Sequence, residues 1–324
     1  MEEFCEEEEP PGSTPFLRAV NLERNLRLKK FFIKFEGANA TGSQKDRISK
    51  LHVLRAKKLG YRTISLATCG NYGASISYYA RLYGLDSVVA MPQDYSHERS
   101  VEIIQNGASV IELPGKYEDT VSAMRDMALD NAWYDSSPGS SNSDLDIMGY
   151  KKIAYEIVSQ LGHSPKYLAV PVGNGTTLSG IFNGFVNMYN HGSIDSLPVL
   201  IASSTANGNP IVHSWKKHNK KIVDLNPSVL RESSINEPLI SYKAFDGQMA
   251  LNAIYKSRGY AEYVSDEEMV MYSRTIEQTE NVHALPASAS TLAAAVRIMS
   301  RSRKNDESEC VLVITGRNKL WTTQ

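Results

Sequence analysis

Short apolar runs alternate with stretches of helical periodicity along most of the chain. Arg62–Ala67 is a run of the buried-strand type, and it follows residues 48–60, where apolar positions recur at helical spacing and Gly60 is placed to end a helix. The same reasoning predicts further strands at Phe31–Glu36, Val88–Met91, Val110–Leu113, Tyr167–Val172, Leu197–Ala202 and Cys310–Ile314. It predicts further helices at 74–83, 96–106, Tyr117–Leu129, Gly149–Leu161, 177–190, Asp266–Glu280 and 287–302. Strands separated by helices pair in parallel through right-handed crossovers, so the pattern predicts an α/β protein.

Residues 135–146 divide this pattern. They are rich in Ser, Asn, Asp, Pro and Gly, which favour turns, and we interpret them as the return from a small α/β domain to a larger one. The prediction is a small mobile domain of residues 49–145 and a large domain of residues 1–48 and 146–324. The alternative is a long surface loop within one domain. Residues 203–260 show no clear periodicity.

Length and charge narrow the function classes. A chain of 324 residues suits about two domains. The net charge of −1 gives no electrostatic reason to expect a nucleic acid or an anionic membrane as partner. No apolar run approaches the roughly 20 residues that span a bilayer. Residues 1–12 are acidic and end in Pro-Pro-Gly, so we expect a disordered lead and not a targeting signal.

Cysteine and histidine usage gives no sign of a disulfide framework or a metal site. Cys5, Cys69 and Cys310 lie far apart and are odd in number, and the seven histidines show no paired ligand spacing. We therefore expect no metal and a reducing, cytoplasmic location.

The rest of the chain is organised around residues 34–48. A strand-like run ends there in a polar, glycine-broken turn, and Lys45 stands where a helix begins near Asp46. Cations prefer the opposite end of a helix dipole. One interpretation is a solvated surface lysine beside Asp46. The other is a destabilised ammonium that makes a neutral amine accessible, which can form a Schiff base with an aldehyde cofactor.

Two glycine-bearing turns follow predicted strands. In residues 173–177, Gly-Asn-Gly-Thr-Thr, backbone N–H groups can approach an anion at a helix start, and the two threonine hydroxyls can donate to phosphate oxygens. In residues 68–73, Thr-Cys-Gly-Asn-Tyr-Gly, the N–H groups suit a carboxylate, and Asn71 adds a side-chain donor. Taken alone, each stretch is more often an ordinary turn, and Cys69 an inert thiol.

Thr315 closes the predicted strand Cys310–Ile314. Ligands of open α/β sheets lie at the carboxyl ends of strands. The stretches at 68–73, 173–177 and 315 all have this position, which favours a ligand-binding role for them.

Together these stretches resemble the threonine synthase group of pyridoxal-phosphate enzymes, from about residue 12 to about residue 320. Gly12-Ser-Thr-Pro-Phe is similar to the family's opening Gly-Asn-Thr-Pro-Leu, and Thr41-Gly-Ser-Gln-Lys-Asp-Arg to its Thr-Gly-Ser-Phe-Lys-Asp-Arg. Further matches follow in order at Thr68-Cys-Gly-Asn, Gly149-Tyr-Lys-Lys-Ile, Pro171-Val-Gly-Asn-Gly-Thr-Thr, Leu285-Pro-Ala-Ser-Ala and Thr315-Gly. The resemblance implies the tryptophan synthase β-like fold of type II, with two three-layer α/β domains and mostly parallel sheets.

The resemblance also implies a cofactor and roles for site residues. It implies pyridoxal 5′-phosphate, with Lys45 as the catalytic Schiff-base lysine, Asn71 at the phenolic oxygen and Thr315 at the pyridine nitrogen. The cofactor phosphate is expected on Gly173, Asn174, Gly175, Thr176 and Thr177, and the substrate on Thr68, Cys69, Gly70 and Tyr72. An uncharged hydroxyl at the ring nitrogen favours elimination or replacement at the β or γ carbon over transamination.

The chain departs from the family pattern at four positions. Gln44 replaces a phenylalanine, Tyr72 a threonine or histidine, Met148 an acidic residue and Leu285 a glutamate. The first hypothesis is a threonine synthase-like lyase that acts on an amino acid as a homodimer. One alternative is a serine/threonine ammonia-lyase or a cysteine synthase-like β-replacement enzyme. The other, which Gln44 and Leu285 favour, is a catalytically altered paralogue with a ligand-binding or regulatory role.

Overall fold

A computed structural model describes residues 11–26, 30–95, 98–301 and 308–318. The described strands are β1 (Phe16–Arg18), β2 (Phe31–Phe35), β3 (Thr63–Ala67), β4 (Asp86–Pro92), β5 (Ser109–Leu113), β6 (Tyr134–Asp135), β7 (Tyr167–Pro171), β8 (Val199–Thr205), β9 (Tyr260–Val264) and β10 (Cys310–Ile314). The described helices are α1 (Val20–Leu26), α2 (Asp46–Lys58), α3 (Asn71–Tyr83), α4 (Ser100–Gln105), α5 (Tyr117–Asp130), α6 (Asp144–Leu161), α7 (Thr176–Asn190), α8 (Pro210–Lys216), α9 (Gly247–Lys256), α10 (Asp266–Glu280) and α11 (Pro286–Met299).

The described strands form two sheets. The larger has the order β1-β2-β10-β7-β8-β9, and its pairs are parallel except that β1 runs antiparallel to β2. The smaller has the order β5-β4-β3-β6 and is parallel throughout. The chain therefore begins the larger sheet, leaves it to build the smaller one, and returns. The smaller sheet lies within residues 63–135, and the domain boundaries predicted at 48/49 and 145/146 fall inside α2 and α6.

Helices cover both faces of each sheet because successive strand residues point to opposite sides. In β10, Val311 and Val313 pack in a core with α6 and α7, whereas Leu312 packs in a second core with α11. In the smaller sheet, Leu66 faces the core that contains α3, and Ala67 faces the one that contains α5. The prediction of an α/β fold with three-layer architecture and mostly parallel sheets is confirmed.

Helix α6 begins earlier than the sequence predicted. The predicted start was Gly149, but the helix starts at Asp144, so the loop predicted at 135–146 is shorter and contains β6 at its beginning. Asp144 and Asp146 lie in the first turn, where the helix dipole favours carboxylates. The aspartates and serines that indicate a loop by composition thus also begin the helix.

Other differences concern short elements and residues outside the described part. Strands β1 and β6 are 3 and 2 residues long, too short for an alternating pattern to register. β9, α8 and α9 lie in or at the end of residues 203–260, where the pattern of apolar positions shows no periodicity. Strand β10 and helix α10 have the predicted bounds. The acidic lead at 1–10, Cys5, and residues 96–97 of a predicted helix lie outside the described residues.

Among the described residues, no helix has both the length and the apolar character that a membrane crossing requires. The same residues contain no group of three or more His, Cys, Asp and Glu side chains arranged to hold a metal ion.

A buried network of charged side chains joins the N-terminal segment to α2 and α6. Arg47 Nε donates to Glu36 Oε2 at 2.6 Å, and Arg47 Nη1 donates to Glu156 Oε1 at 2.6 Å. Lys34 Nζ donates to Glu156 Oε2 at 2.6 Å. The side chains of Lys34, Glu36 and Arg47 are all 0% exposed. Loss of one member would leave its partners buried without a counter-charge.

We predict that Glu156→Gln destabilises the protein in a pH-dependent way. Burial raises the pKa of Glu156, but hydrogen bonds and charges from Arg47 and Lys34 outweigh it and lower the pKa from 4.5 to about 2. A carboxyl group with a lowered pKa in the folded state stabilises the fold above its unfolded pKa, and this contribution disappears as the pH falls towards 2. Urea unfolding at pH 7 should show that the free energy of unfolding of Glu156→Gln is about 2–4 kcal/mol lower than that of the wild type.

At pH 3.5, the free energies of unfolding of wild type and Glu156→Gln should differ by about 1 kcal/mol less than at pH 7. This value allows for the partial exposure of the carboxylate. Asp144→Asn is the control. Asp144 pairs with Arg55 at 2.9 Å on the surface, so its loss should cost less than about 1 kcal/mol. An equal loss for Glu156→Gln at both pH values would contradict the role given to its ionised carboxylate.

Candidate active site

A pocket lies at the carboxyl ends of parallel strands from both sheets. Residues that follow β3, β7 and β10 form its wall, together with the start of α2 and residues 237–240. Of the residues predicted for a site, the wall contains Lys45, Thr68, Cys69, Asn71, Tyr72, Gly173, Asn174, Gly175, Thr176, Thr177 and Thr315. Gly70 is not part of the wall. The three predicted strand-end stretches are therefore brought together.

Lys45 is held at the N-terminus of α2 with its amine in aromatic surroundings. Its Nζ lies 4.8 Å from the ring centre of Tyr72 and 5.9 Å from that of Tyr150. Burial lowers the pKa of the Lys45 amine, and the negative charge of Asp146 acts in the opposite direction. A lowered pKa favours the neutral amine, which is the form that can act as nucleophile or base.

The backbone around Lys45 is fixed from both sides. Before it, the N–H of Gln44 donates to the Thr315 carbonyl at 2.9 Å. After it, the Asp46 carboxylate accepts from the Thr41 N–H at 2.8 Å, from the Thr41 hydroxyl, and from the Ser75 hydroxyl at 2.7 Å. These bonds tie the lysine-bearing turn to β10 and to α3.

Residues 173–177 form a cradle of backbone donors at the N-terminus of α7. In the part of the chain that the structure describes, none of their backbone N–H groups donates to a protein acceptor. Gly175 has a φ of +91°, in the left-handed region that favours glycine. At Gly173 a Cβ would lie 2.7 Å from the Pro238 carbonyl oxygen, so only glycine fits. Free N–H groups at a helix N-terminus suit a phosphate.

The two threonines of this cradle differ in their contacts. Thr176 donates from its hydroxyl to Asp246 Oδ2 at 2.5 Å. Burial raises the pKa of Asp246, and the Thr176 hydrogen bond opposes that shift. The Thr177 hydroxyl lies beside the buried Tyr150 hydroxyl. The expectation that both hydroxyls bind a phosphate therefore fits Thr177 better than Thr176.

The turn at residues 68–72 is ordered largely by its own hydrogen bonds. Thr68 Oγ1 accepts from the Gly70 N–H at 3.0 Å, so this N–H is already engaged. Tyr72 donates from its hydroxyl to the Ser136 carbonyl at 3.1 Å. Burial raises the pKa of the Cys69 thiol well above its ordinary value, which suits an inert thiol.

Asn71 is oriented by Arg99, which the sequence did not indicate, and Thr315 by Ser288, which belongs to the Leu285-Pro-Ala-Ser-Ala motif. Asn71 Oδ1 accepts from Arg99 Nη1 at 2.6 Å, which leaves the Asn71 amide nitrogen for the pocket. The Thr315 hydroxyl shares a hydrogen bond of 2.7 Å with Ser288 of α11. Arg99 lies in no motif, and its role follows from tertiary contacts, whereas the bond between Ser288 and Thr315 joins two of the motifs found in the sequence.

Two acidic residues near the pocket were also missed, Glu237 in its wall and Asp246 behind the cradle. Both lie in residues 203–260, where no periodicity marks an element. Leu285 and Met148 both differ from the family pattern. Leu285 lies in the wall of the pocket, whereas Met148 is 44% exposed and is not part of the wall.

Comparison with known proteins identifies the family. Residues 8–316 match the family described as pyridoxal-phosphate dependent enzyme. The chain is 33% identical over 309 residues to a threonine synthase of Methanocaldococcus jannaschii, covering 94% of this chain and 74% of that protein. A threonine synthase of Methanosarcina acetivorans is 29% identical over 309 residues, with the same coverage.

Solved structures of similar fold include a threonine deaminase of T.th., with a TM-score of 0.77 at 19% identity, covering 94% of this chain and 92% of that one. A maize serine racemase gives a TM-score of 0.77 at 17% identity, covering 94% and 88%. These likenesses confirm the type II fold. Because the family match spans nearly the whole chain and the cradle fits a phosphate, the protein belongs to the pyridoxal-phosphate dependent enzymes, similar to threonine synthase.

Proposed function

We propose that the protein is a pyridoxal-phosphate-dependent lyase that acts on an amino acid by elimination or replacement at the β or γ carbon. The observation that carries this proposal is the common pocket of the Lys45 amine and the free N–H groups of residues 173–177. The similarity to threonine synthases favours the threonine synthase-like reaction. Gln44 and Leu285, both in the pocket wall, are the features that favour the alternative of a catalytically altered paralogue with a ligand-binding or regulatory role.

The residues fit the cofactor in the following way. The backbone donors of 173–177 and the Thr177 hydroxyl would hold its phosphate, and Lys45 would be its covalent attachment point. Asn71, oriented by Arg99, would donate to the phenolic oxygen, and Thr315, oriented by Ser288, would meet the pyridine nitrogen. When bound, the cofactor acts as an electron sink for the substrate's α carbon.

Lys45 is also the proposed base. Once the amine of the substrate has displaced it from the cofactor, the Lys45 amine, whose pKa burial lowers, would take the α proton of the substrate at moderate pH. The substrate carboxylate lies against the turn at residues 68–72, where the Thr68 hydroxyl is a donor. Gly70 contributes to that turn through its bond to Thr68 rather than through a free N–H.

The first test concerns the attachment of the cofactor. Borohydride reduction of the holoenzyme should fix the cofactor covalently on Lys45, because its amine faces the same pocket as the phosphate cradle. Peptide mapping by mass spectrometry identifies the labelled lysine. Lys45→Ala should lose turnover by several orders of magnitude, since it removes the proposed base.

Lys50→Ala is the matched control, because Lys50 lies on the same helix α2 but is not part of the pocket wall. It should keep both labelling and turnover. Label on any other lysine in the wild type would disprove the assignment of Lys45.

The second test separates the two threonines of the cradle. Thr177→Val should weaken cofactor affinity roughly tenfold to a hundredfold, as expected for loss of one charge-assisted hydrogen bond. Thr176→Val should instead lower the stability of the apoenzyme by about 1–3 kcal/mol, because it leaves the buried Asp246 without its donor. Cofactor titration by absorbance and melting of both apo variants measure the two effects. Equal cofactor affinity for wild type and Thr177→Val would show that this hydroxyl does not hold the phosphate.

We further propose that residues 49–145 move as a unit over the pocket. The support for this motion is a set of contacts at the mouth of the pocket, by which we mean the place where residues 95 and 116–118 meet residues 232–243. Tyr95 donates from its hydroxyl to Glu232 at 2.9 Å, and Lys116 pairs with the same carboxylate. The Tyr242 N–H donates to Glu118 Oε1 at 2.8 Å.

If the mouth closes on substrate, amide hydrogen exchange around residues 116–119 and 232–243 should slow when an amino-acid substrate is added to the holoenzyme. Strand β10 is the internal control, since it is buried in the larger sheet and should not change. Unchanged exchange at the mouth under saturating substrate would argue against the motion. A homodimer and a cytoplasmic location stay predictions from the resemblance and the cysteine content.

A further inference from the structure

Tyr150 on α6 has a buried hydroxyl that the proposed function does not use. The residue is 0% exposed, and in the part of the chain that the structure describes its hydroxyl has no hydrogen-bond partner. Asn174 Oδ1 and Ser179 Oγ, at the start of α7, are likewise buried without a partner among the described residues. Because buried polar groups are nearly always hydrogen-bonded, these atoms indicate a place where a polar group binds.

Close packing of α6 against α2 and α7 fixes the position of Tyr150. At Gly149 a Cβ would lie 2.8 Å from a backbone carbonyl oxygen of α2, and at Gly180 of α7 it would lie 2.6 Å from Tyr150 Cβ. Because glycine at both places lets the helices approach, Tyr150 lies between the N-terminal ends of α2 and α7. Its ring centre is 5.9 Å from Lys45 Nζ, and its hydroxyl lies beside that of Thr177.

The hydroxyls of Tyr150 and Thr177 can form two successive links of one hydrogen-bond chain. Thr177 is part of the pocket wall and Tyr150 is not, so Tyr150 can act on a ligand in the pocket only through Thr177. Burial raises the pKa of Tyr150 well above its ordinary value, so its O–H stays a donor. When a phosphate accepts the Thr177 proton, the Thr177 oxygen becomes free to accept from Tyr150, and each of these two bonds strengthens the other.

We propose that Tyr150 is a positioning residue for the phosphate of the cofactor: its hydroxyl donates to Thr177 Oγ1 and thereby directs the Thr177 O–H towards the phosphate. This rests on the proposed function, since it concerns the same pocket. The alternative is that Tyr150 only fills the space between the helices, in which case its ring matters and its hydroxyl does not. Tyr150→Phe separates the two, because it removes the oxygen and keeps the ring beside Lys45.

The test titrates pyridoxal 5′-phosphate into the apoenzyme and follows binding by absorbance. Tyr150→Phe should bind it about threefold to tenfold more weakly than the wild type, as expected for the loss of one neutral hydrogen bond. Pyridoxal, which lacks the phosphate, should bind both proteins equally. The Tyr150→Phe apoenzyme should melt at the wild-type temperature or slightly above it, because the hydroxyl that it loses has no partner among the described residues.

A double-mutant cycle shows whether Tyr150 acts through Thr177. In the Thr177→Val background, Tyr150→Phe should have no further effect on cofactor affinity, since the hydroxyl that Tyr150 orients is already gone. Tyr155→Phe is the matched control, because Tyr155 is on the same helix and its exposed hydroxyl donates to Asn187 of α7 at 3.4 Å. This variant should keep the cofactor affinity of the wild type.

Equal affinity of wild type and Tyr150→Phe for pyridoxal 5′-phosphate would overturn the inference while leaving the proposed function standing. The same holds for an equal loss of affinity for pyridoxal, for a lower melting temperature of the Tyr150→Phe apoenzyme, and for an undiminished effect in the Thr177→Val background. If the wild-type apoenzyme does not bind pyridoxal 5′-phosphate, the proposed function fails, and the inference with it.

Discussion

The buried guanidinium of Arg47 is the constraint on which the site depends. It lies between Glu36, which follows β2, and Glu156 on α6, and it is 0% exposed. A buried charge is tolerated only when its partners are in place, and removing one partner typically costs about 3–5 kcal/mol. The start of α2, the end of β2 and the middle of α6 must therefore meet in one geometry. Lys45 precedes Arg47 by one helical half-turn and takes its position from that geometry.

The contrast between Lys45 and Arg47 explains how a reactive amine can sit beside a stable core. Burial lowers the pKa of Arg47, but the charges and hydrogen bonds of Glu36 and Glu156 outweigh this effect and raise it. The guanidinium therefore stays charged, with both carboxylates as counter-charges. The amine of Lys45 instead faces the rings of Tyr72 and Tyr150. Burial without a close carboxylate lowers the pKa of an amine, whereas burial with one stabilises the cation. Two basic residues in the first turn of the same helix thus differ in charge and in role.

The sequence was informative where function depends on backbone position, and less so where it depends on tertiary contacts. Long apolar runs identify strands such as β10, and the ends of those strands identify the turns that meet in the pocket. The segment that brings Glu237 into the wall has no such signal. It is held by Asn209, whose buried Nδ2 donates to the carbonyls of Gly173 and Leu239, both at 3.0 Å. Nothing in the sequence around Asn209 reveals these distant acceptors.

The pocket combines positions set by the backbone with positions set by side chains, and the two kinds can change in sequence to different extents. In the proposed function the cofactor phosphate binds backbone N–H groups at the start of α7, and glycines permit their approach, so most side chains nearby could change without loss of the phosphate site. Structures with 17–19% identity share the fold. The side chains of the wall, among them those of Gln44 and Leu285, are under no such backbone constraint. A substitution at one of these positions would change the shape or polarity of the pocket, while the backbone that positions Lys45 and the phosphate cradle stays in place.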